Sequence, residues 1–346
     1  MSKSTDWTNN WSVFSKERNT LYGISILSII IFHYFEDLNA SDFSGGLCSI
    51  GAVYLRIIGS VGVELFIFLS GISLFFSMKK DEKVKQFYKK RIKRIIPTYL
   101  TIAIPFWGLI DIIFRSGNVK LFFEDLFFVT FFQNGTRTFW YVLFILIAYM
   151  IYPLLYKRLN SAKNLNRQIV MLILWGLLIQ FFPRKLVPSL YSNIEILLGR
   201  FLIFFIGCWC GIKVYRESTF NKLERVGFNF GLLLMLGTFI PNIQDIIQKF
   251  GDRILMCFWG LFLVYILAII IEKAPTKMKS FLNYLGMMSY ELYLTHVAIR
   301  AFMNFVGMNT YHIINYILCI SVSIILSVWI KKLQGRIAYV NEYFKR

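Results

Sequence analysis

The chain has 346 residues, of which 57% are hydrophobic and 18% aromatic, and its mean hydropathy is +0.58. Because soluble domains are only about 45–50% apolar, a soluble fold is excluded and an integral membrane protein is predicted. The net charge of +19 raises nucleic acid as a partner. However, the basic residues fall in short loops between apolar segments, where they set membrane orientation, so no nucleic-acid partner is expected.

Apolar segments of membrane-spanning length recur about ten times along the chain. A shorter apolar segment, 121–132, contains two acidic residues and is expected to be re-entrant or interfacial. The sequence therefore predicts an all-α, polytopic membrane helix bundle of residues 17–332 between two cytoplasmic tails, 1–16 and 333–346. The predicted spans are 18–36, 57–78, 95–114, 139–156, 168–182, 194–214, 227–241, 254–271, 281–305 and 311–331.

Every second loop of this bundle is basic. The loops after the second, fourth, sixth and eighth predicted spans, and the C-terminal segment, hold clusters of lysine and arginine. Since basic loops stay in the cytoplasm, the alternation favours an even number of spans and places both termini there. The expected location is a plasma membrane, most simply the bacterial cytoplasmic membrane. The intervening loops are acidic or mixed and contain Glu36, Asp37, Asp42, Asp245, Lys249 and Asp252.

The first predicted span carries one imidazole, His33, near its far end. An ionisable side chain inside a membrane span is costly, so it indicates a functional site; the alternative is a histidine at the membrane interface. Glu64 enters the second predicted span and is expected at a similar depth. A carboxylate there could orient His33 as a general base, whereas the alternative is a structural ion pair elsewhere in the bundle.

Two further pairs of residues mark the third and fourth predicted spans. Arg91 and Arg94 lie three residues apart on one helix face, and paired guanidinium groups suit phosphate recognition. The alternative is that they face lipid phosphates. Trp140 and Tyr141 open the fourth span, where an aromatic belt at the membrane interface is the alternative to a binding role.

The ninth predicted span carries a polar stripe. Ser289, Tyr293, His296 and Arg300 follow one another at intervals of four, three and four residues, so they share a helix face. Such a stripe must face protein or water rather than lipid. Because the first and ninth spans both rise from the cytoplasm, His296 is expected at the height of His33.

No metal site is expected from the sequence. The five cysteines lie mostly inside apolar segments, and Cys208 and Cys210 have no second pair at a metal-ligand spacing. They are predicted to be small core residues. His312 is near a helix end in an outer loop and is expected to be solvated.

The order of these segments resembles the acyltransferase-3 family of integral-membrane acyltransferases over nearly the whole chain. The resemblance implies a fold of about ten spans that carries acyl groups from cytoplasmic acetyl-CoA to a hydroxyl of an extracytoplasmic glycan. Five matching pieces occur in the family's order: LYGISILSIIIFH (21–33), VGVELFIFLSG (61–71), RIKRIIPTY (91–99), FWYVLF and YP (139–153), and LGMMSYELYLTH (285–296).

The resemblance also implies roles for individual residues. The essential first-span histidine of the family corresponds to His33, and the arginines that begin its third span correspond to Arg91 and Arg94. The family usually has an arginine eleven residues before the histidine, and here that position is Tyr22. Arg18, one turn earlier on roughly the same face, could replace it in binding the donor.

We therefore expect a membrane O-acyltransferase with acetyl-CoA as co-substrate and a cell-surface or exported polysaccharide as acceptor. His33 would act as general base or as a transient acyl carrier, with Glu64 orienting it. The expected partners are acyl-CoA, the glycan acceptor, membrane lipids, proteins of polysaccharide biosynthesis or export, and a second copy of the chain. The residues expected to bind the acceptor or stabilise the oxyanion are Trp140, Tyr141, Tyr293, His296 and Arg300.

The alternative function is an exporter or flippase of a glycan or lipid-linked sugar, with the polar stripe lining its pathway. Many transporter folds contain matched half-repeats and helices broken by glycine or proline at corresponding positions. The sequence contains neither, which favours the enzyme.

Overall fold

The computed structural model describes residues 10–42, 45–55, 59, 61–237 and 252–343. These residues are almost entirely helical, apart from one isolated β-bridge between Asn10 and Thr219. The predicted all-α fold class is therefore confirmed for this part of the chain. Residues 1–9 and 344–346 of the expected tails, and Asp245 and Lys249 of an expected outer loop, lie outside the described residues.

The first half of the chain contains eight helices among the described residues. Helix α5 continues without a break into a seven-residue π-helix, Gly108–Phe114. The helices are α1 (Val13–Lys16), α2 (Arg18–Ala40), α3 (Gly46–Tyr54), α4 (Val61–Lys80), α5 (Val84–Trp107), α6 (Val119–Leu126), α7 (Val129–Asn134) and α8 (Trp140–Asn160).

The second half contains eight more helices among the described residues. Its last helix is the longest, with 31 residues, and extends into the expected C-terminal tail. The helices are α9 (Leu165–Leu186), α10 (Pro188–Leu198), α11 (Phe201–Tyr215), α12 (Lys222–Gly237), α13 (Asp252–Glu272), α14 (Thr276–Met287), α15 (Ser289–Phe305) and α16 (Ile313–Tyr343).

Seven helical segments of the described residues are long and apolar enough to cross a membrane. They correspond to the first six predicted spans and the tenth. The total of ten spans and the cytoplasmic position of both termini stay predictions. The seven segments are Arg18–Ala40, Val61–Lys80, Val84–Phe114, Trp140–Asn160, Leu165–Leu186, Pro188–Tyr215 and Ile313–Gly335.

The predicted ninth span, 281–305, is not one helix. It is divided at Met288, whose backbone angles of φ −116° and ψ 18° end α14 before α15 begins. The Ser289 hydroxyl donates a hydrogen bond of 2.8 Å to the Gly286 carbonyl, which satisfies an acceptor that the helix end leaves free. The prediction of a continuous helix was wrong because the apolar character of the sequence runs unbroken through this corner.

Helix α14 crosses α2 at a contact between two main chains. A Cβ atom on Gly23 would collide with the carbonyl oxygen of Leu282, and one on Gly286 with that of Asn19. Only glycine permits so close an approach at these two positions. Because α15 follows α14 directly, this crossing sets α15 beside α2.

The segment before α2 packs into the fold, although residues 1–16 are expected to form a tail. Trp11 is buried, with its ring 5.2 Å from that of Trp209 and 4.9 Å from that of Phe220. Its indole nitrogen donates a hydrogen bond of 3.0 Å to Glu224. Phe14 is fully buried as well. The beginning of α2 is therefore anchored from residue 11 onward.

The bundle has two chemically different ends. We call the end that carries Arg18 and Arg91 the basic end, and the end that carries Asp37 and Arg300 the far end. Helices α2, α5 and α15 run from the basic end to the far end, and α4 runs in the opposite direction. The topology prediction places the basic end in the cytoplasm.

Candidate active site

A cavity of about 380 Å³ opens at the basic end between α2, α4, α5, α8 and the corner between α14 and α15. Arg18 and Tyr22 line it from α2, and Arg91 and Arg94 line it from α5. All four residues predicted to bind the donor therefore surround one space, although they come from two separate helices. Three guanidinium groups at one opening make it suited to an anionic ligand.

Arg91 is held by aromatic rings rather than by carboxylates. Its guanidinium lies 5.4 Å from the ring of Phe87 and 5.4 Å from that of Tyr149. Cation–π contacts of this kind fix the side chain without using its hydrogen-bond donors. Its Nε is buried and has no hydrogen-bond partner. Arg94, one turn later, is exposed at the same opening.

Tyr22 occupies the position where the resemblance leads one to expect an arginine. Its hydroxyl lies 3.4 Å from that of Ser70 and 3.3 Å from that of Ser73 on α4. This wall of the cavity is thus a neutral cluster of hydroxyl groups. Arg18 supplies a guanidinium to the cavity one turn earlier on the same helix, where its side chain lies 5.9 Å from the ring of Phe76.

A row of aromatic rings leads from this cavity into the bundle. The ring of Phe66 lies 5.0 Å from Tyr22 and 5.5 Å from Tyr141. Tyr141 in turn lies 5.3 Å from Tyr293, which is one helical turn before His296. The Tyr293 hydroxyl is buried without a hydrogen-bond partner. Burying such a hydroxyl without a partner costs about 1–3 kcal/mol, and a ligand that accepts its hydrogen bond would recover this cost.

Two imidazoles are stacked one helical turn beyond Tyr293. The ring centroids of His33 and His296 are 5.3 Å apart, and the ring planes differ by 14°. The expectation that the two histidines lie at one height is therefore confirmed. His296 is fully buried, whereas His33 is half-buried, with an Nδ1 that is buried and has no hydrogen-bond partner.

Sequence reasoning missed two residues of α16 that contact His296. The Tyr316 hydroxyl lies 3.4 Å from His296 Nε2, and Cys319 Sγ lies 3.9 Å from His296 Nδ1. Tyr316 also donates a hydrogen bond to the main-chain oxygen of Ile30 on α2. The available signal was two polar side chains three residues apart on one face of an apolar span.

Arg300 forms ion pairs at the far end of the bundle, about one helical turn beyond His296 on α15. Its Nε donates to Asp37 at 2.7 Å, and its terminal nitrogen donates to Asp37 at 2.5 Å and to Glu36 at 2.9 Å. Asp37 also accepts a hydrogen bond of 2.5 Å from the Thr310 hydroxyl. Arg300 was predicted to bind the acceptor or an oxyanion, but its guanidinium is engaged by two carboxylates in a bidentate ion pair. The structure therefore places it in a clasp between α2 and α15.

Glu64 is not brought to His33. It forms a buried ion pair with Arg200 instead. A structural ion pair elsewhere in the bundle was the alternative to a catalytic role for Glu64. The Ser25 hydroxyl donates a hydrogen bond of 2.5 Å to the carbonyl of Gly62, which sets the register between α2 and α4. Ser25 precedes His33 by eight residues, and Glu64 is two residues closer to the basic end than Gly62 on α4. Glu64 therefore lies about 15 Å closer to the basic end than His33, at 1.5 Å per residue.

Trp140 belongs to the same buried cluster, since the Arg200 guanidinium lies 6.0 Å from its ring. Trp140 and Tyr141 were predicted as one pair, but their side chains have separate surroundings. Tyr141 lines the cavity, whereas Trp140 packs on the ion pair. The role in acceptor binding or oxyanion stabilisation stays a prediction for both residues.

The cysteines and His312 lie where the sequence predicts. Cys208 and Cys210 are fully buried in α11 as core residues. No disulfide joins any of the five cysteines, all of which lie in the described part of the chain. His312 is exposed in the turn before α16. Within the part of the chain that the structure describes, no group of three or more histidine, cysteine, aspartate or glutamate residues could hold a metal ion.

Comparison with known proteins identifies the family. The family model described as an acyltransferase domain matches residues 19–332. The match covers the stacked histidines, the aromatic row and the cavity except for Arg18, which precedes it by one residue. Neither the curated proteins nor the solved structures contain a match to the chain. Because the family model covers nearly the whole sequence, the chain belongs to the acyltransferase-3 family.

Proposed function

We propose that the protein is a membrane O-acyltransferase of the bacterial cytoplasmic membrane. It would move an acyl group, most simply acetyl, from cytoplasmic acyl-CoA to a hydroxyl of a cell-surface or exported polysaccharide. The observation that supports this most is the row of aromatic residues that leads from an arginine-lined cavity to Tyr293, one helical turn before a stacked pair of imidazoles. Family membership supports the acyltransferase class.

The cavity at the basic end suits the anionic part of the donor. Arg91 and Arg94, together with Arg18, would hold the phosphate groups of acyl-CoA by charge-assisted hydrogen bonds. The pantetheine arm would then extend past Tyr22 toward His33. These two residues of α2 are eleven positions apart, which is about 16 Å along the helix.

The chemical step needs a base near the thioester carbon, and His33 supplies one. The hydroxyl oxygen of the acceptor would attack the carbonyl carbon while His33 takes up the hydroxyl proton. The carbon–sulfur bond then breaks, and the CoA thiolate takes the proton from the imidazolium to leave as the thiol. In the alternative route, His33 first accepts the acyl group and then passes it to the hydroxyl. In both routes Tyr293 would donate a hydrogen bond to the carbonyl oxygen as negative charge develops there.

Purified protein in detergent, incubated with labelled acetyl-CoA, tests this proposal. An acyltransferase binds the donor or slowly hydrolyses it, and substitution of the cavity arginines weakens the binding. An exporter or flippase of a glycan or lipid-linked sugar has no need of acetyl-CoA, so the absence of saturable binding would overturn the proposal.

Mass spectrometry of surface glycans from cells with and without the gene identifies the acceptor. The proposal predicts that one acyl mass is lost when the gene is deleted and returns with the wild-type gene. Cells that carry the His33→Ala variant at a normal membrane level serve as the matched control and should lack that mass too. A glycan profile that is identical with and without the gene would contradict a role in glycan acylation.

A further inference from the structure

The stacked imidazoles of His33 and His296 have different surroundings. Their rings lie 5.3 Å apart with nearly parallel planes. Two positive charges at this separation inside a membrane bundle would repel strongly, so the pair can take up only one proton. The neighbours of His296 determine which of the two rings is available to take up that proton.

The Tyr316 hydroxyl contacts both α2 and His296. Its hydroxyl has a single proton, which it donates to the main-chain oxygen of Ile30. The same hydroxyl oxygen lies 3.4 Å from Nε2 of His296. Because the phenolic proton is already engaged, this second contact is a hydrogen bond only if Nε2 carries a hydrogen and donates it. Both contacts of the Tyr316 hydroxyl are therefore hydrogen bonds when His296 carries its proton on Nε2.

The other nitrogen of His296 is also occupied. In the neutral Nε2–H tautomer the only lone pair is on Nδ1, which lies 3.9 Å from Cys319 Sγ. A thiol is a weak donor, and its proton can point to this lone pair. The His296 side chain is fully buried, so neither nitrogen is open to a ligand. By contrast, Nδ1 of His33 has no partner.

We infer that Tyr316 holds His296 as the neutral Nε2–H tautomer and thereby leaves proton uptake during acyl transfer to His33. The catalytic part of this inference rests on the proposed function. A neutral ring stacked on His33 places no positive charge beside the imidazolium that forms when His33 accepts the hydroxyl proton. Tyr316 is a positioning residue, because it acts through His296.

Nitrogen NMR of protein labelled with ¹⁵N in its histidine rings tests the tautomer directly. The chain has only three histidines, so the signals can be assigned with the variants His296→Gln and His312→Gln. At neutral pH we expect His296 to show a protonated Nε2 and a bare Nδ1. A proton on Nδ1 with a bare Nε2 would overturn the inference. This measurement needs no enzymatic activity and no variant of Tyr316.

The variant Tyr316→Phe tests the consequence for catalysis. It keeps the ring but removes the acceptor, so a second tautomer of His296 should be detected. We expect kcat to fall about tenfold to a hundredfold, as for a small misplacement in an active site. The KM for acetyl-CoA should stay unchanged, because the cavity that would bind the donor is lined by other residues.

Tyr34→Phe is the matched control. The Tyr34 ring lies 4.9 Å from that of Tyr316, and the substitution leaves the Tyr316 hydroxyl in place. Both the tautomer and kcat should match the wild type in this variant. A fall in kcat in Tyr316→Phe without a change of tautomer would refute the positioning role. If the wild type shows the Nε2–H tautomer but transfers no acyl group, the proposed function fails and the tautomer assignment stands.

Discussion

The buried ion pair between Glu64 and Arg200 allows a structural role for Glu64 to be separated from a chemical one. Glu64 is 1% exposed and Arg200 is 7% exposed, so neither charge is screened by water. Removal of one charge from a buried ion pair, as in Glu64→Gln, costs about 3–5 kcal/mol. The ring of Trp140 lies over the guanidinium and can offset about 1–2 kcal/mol of this cost.

A net loss of about 1–4 kcal/mol should therefore lower the denaturation temperature of Glu64→Gln by about 2–8 °C, if each kcal/mol lowers it by about 2 °C. The double variant Glu64→Leu, Arg200→Met replaces both charges with apolar groups and should recover most of this loss. Thermal denaturation in detergent measures the stability, and labelled acetyl transfer measures the activity. If the double variant is stable but as inactive as a His33 variant, Glu64 acts in the chemistry and the structural assignment is refuted.

The remaining predictions concern the cavity, the histidine, the unpartnered phenol and a buried carboxyl group. Arg91→Ala should weaken acetyl-CoA binding by about tenfold or more, because a bidentate phosphate contact is lost. Substitution of the exposed neighbour, Lys93→Ala, is the control and should change the affinity for acetyl-CoA little. Isothermal titration calorimetry measures the affinity of both variants. His33→Ala at a normal membrane level should abolish acetyl transfer in a radiometric assay, and retained activity would remove it from the mechanism. Tyr293→Phe should lower kcat by about a hundredfold, while its denaturation temperature does not fall, because the lost hydroxyl has no partner. Burial raises the pKa of Asp125, so the stability that this group contributes is present at low pH and lost as the pH rises through its folded pKa. Asp125→Asn should therefore raise the denaturation temperature more at pH 8 than at pH 4, and an equal effect at both would contradict the assignment.

The four donor-binding candidates at the cavity were predictable because each of them is marked locally in the sequence. Arg91 and Arg94 share a helix face at the start of a span, and Arg18 precedes an uncharged apolar segment that contains Tyr22. Periodicity assigns such residues to one helix face and one membrane depth. Their convergence on a single cavity depends on how α2 and α5 pack, which no local pattern specifies.

The partners of the ionisable residues could not be predicted in the same way. Glu64 was expected beside His33 because both lie in the outer half of a predicted span. Its true partner, Arg200, is 136 positions later in the chain, and the α2–α4 register that separates Glu64 from His33 is set by one serine hydroxyl. Tyr316 likewise could not be distinguished in the sequence from other tyrosines of apolar helices. Its contact with His296 depends on how α15 and α16 pack.

One face of α2 connects the two ends of the bundle. Arg18 and Tyr22 line the cavity at the basic end, His33 stacks on His296, and Asp37 clasps Arg300 at the far end. At 100° per residue these four positions fall within about 100° of one another around the helix. Any rotation of α2 would therefore move the cavity wall, the imidazole and the clasp together. The glycine contact with α14 and the hydroxyl contact with α4 oppose such a rotation, so the packing of this helix fixes the base relative to the donor cavity.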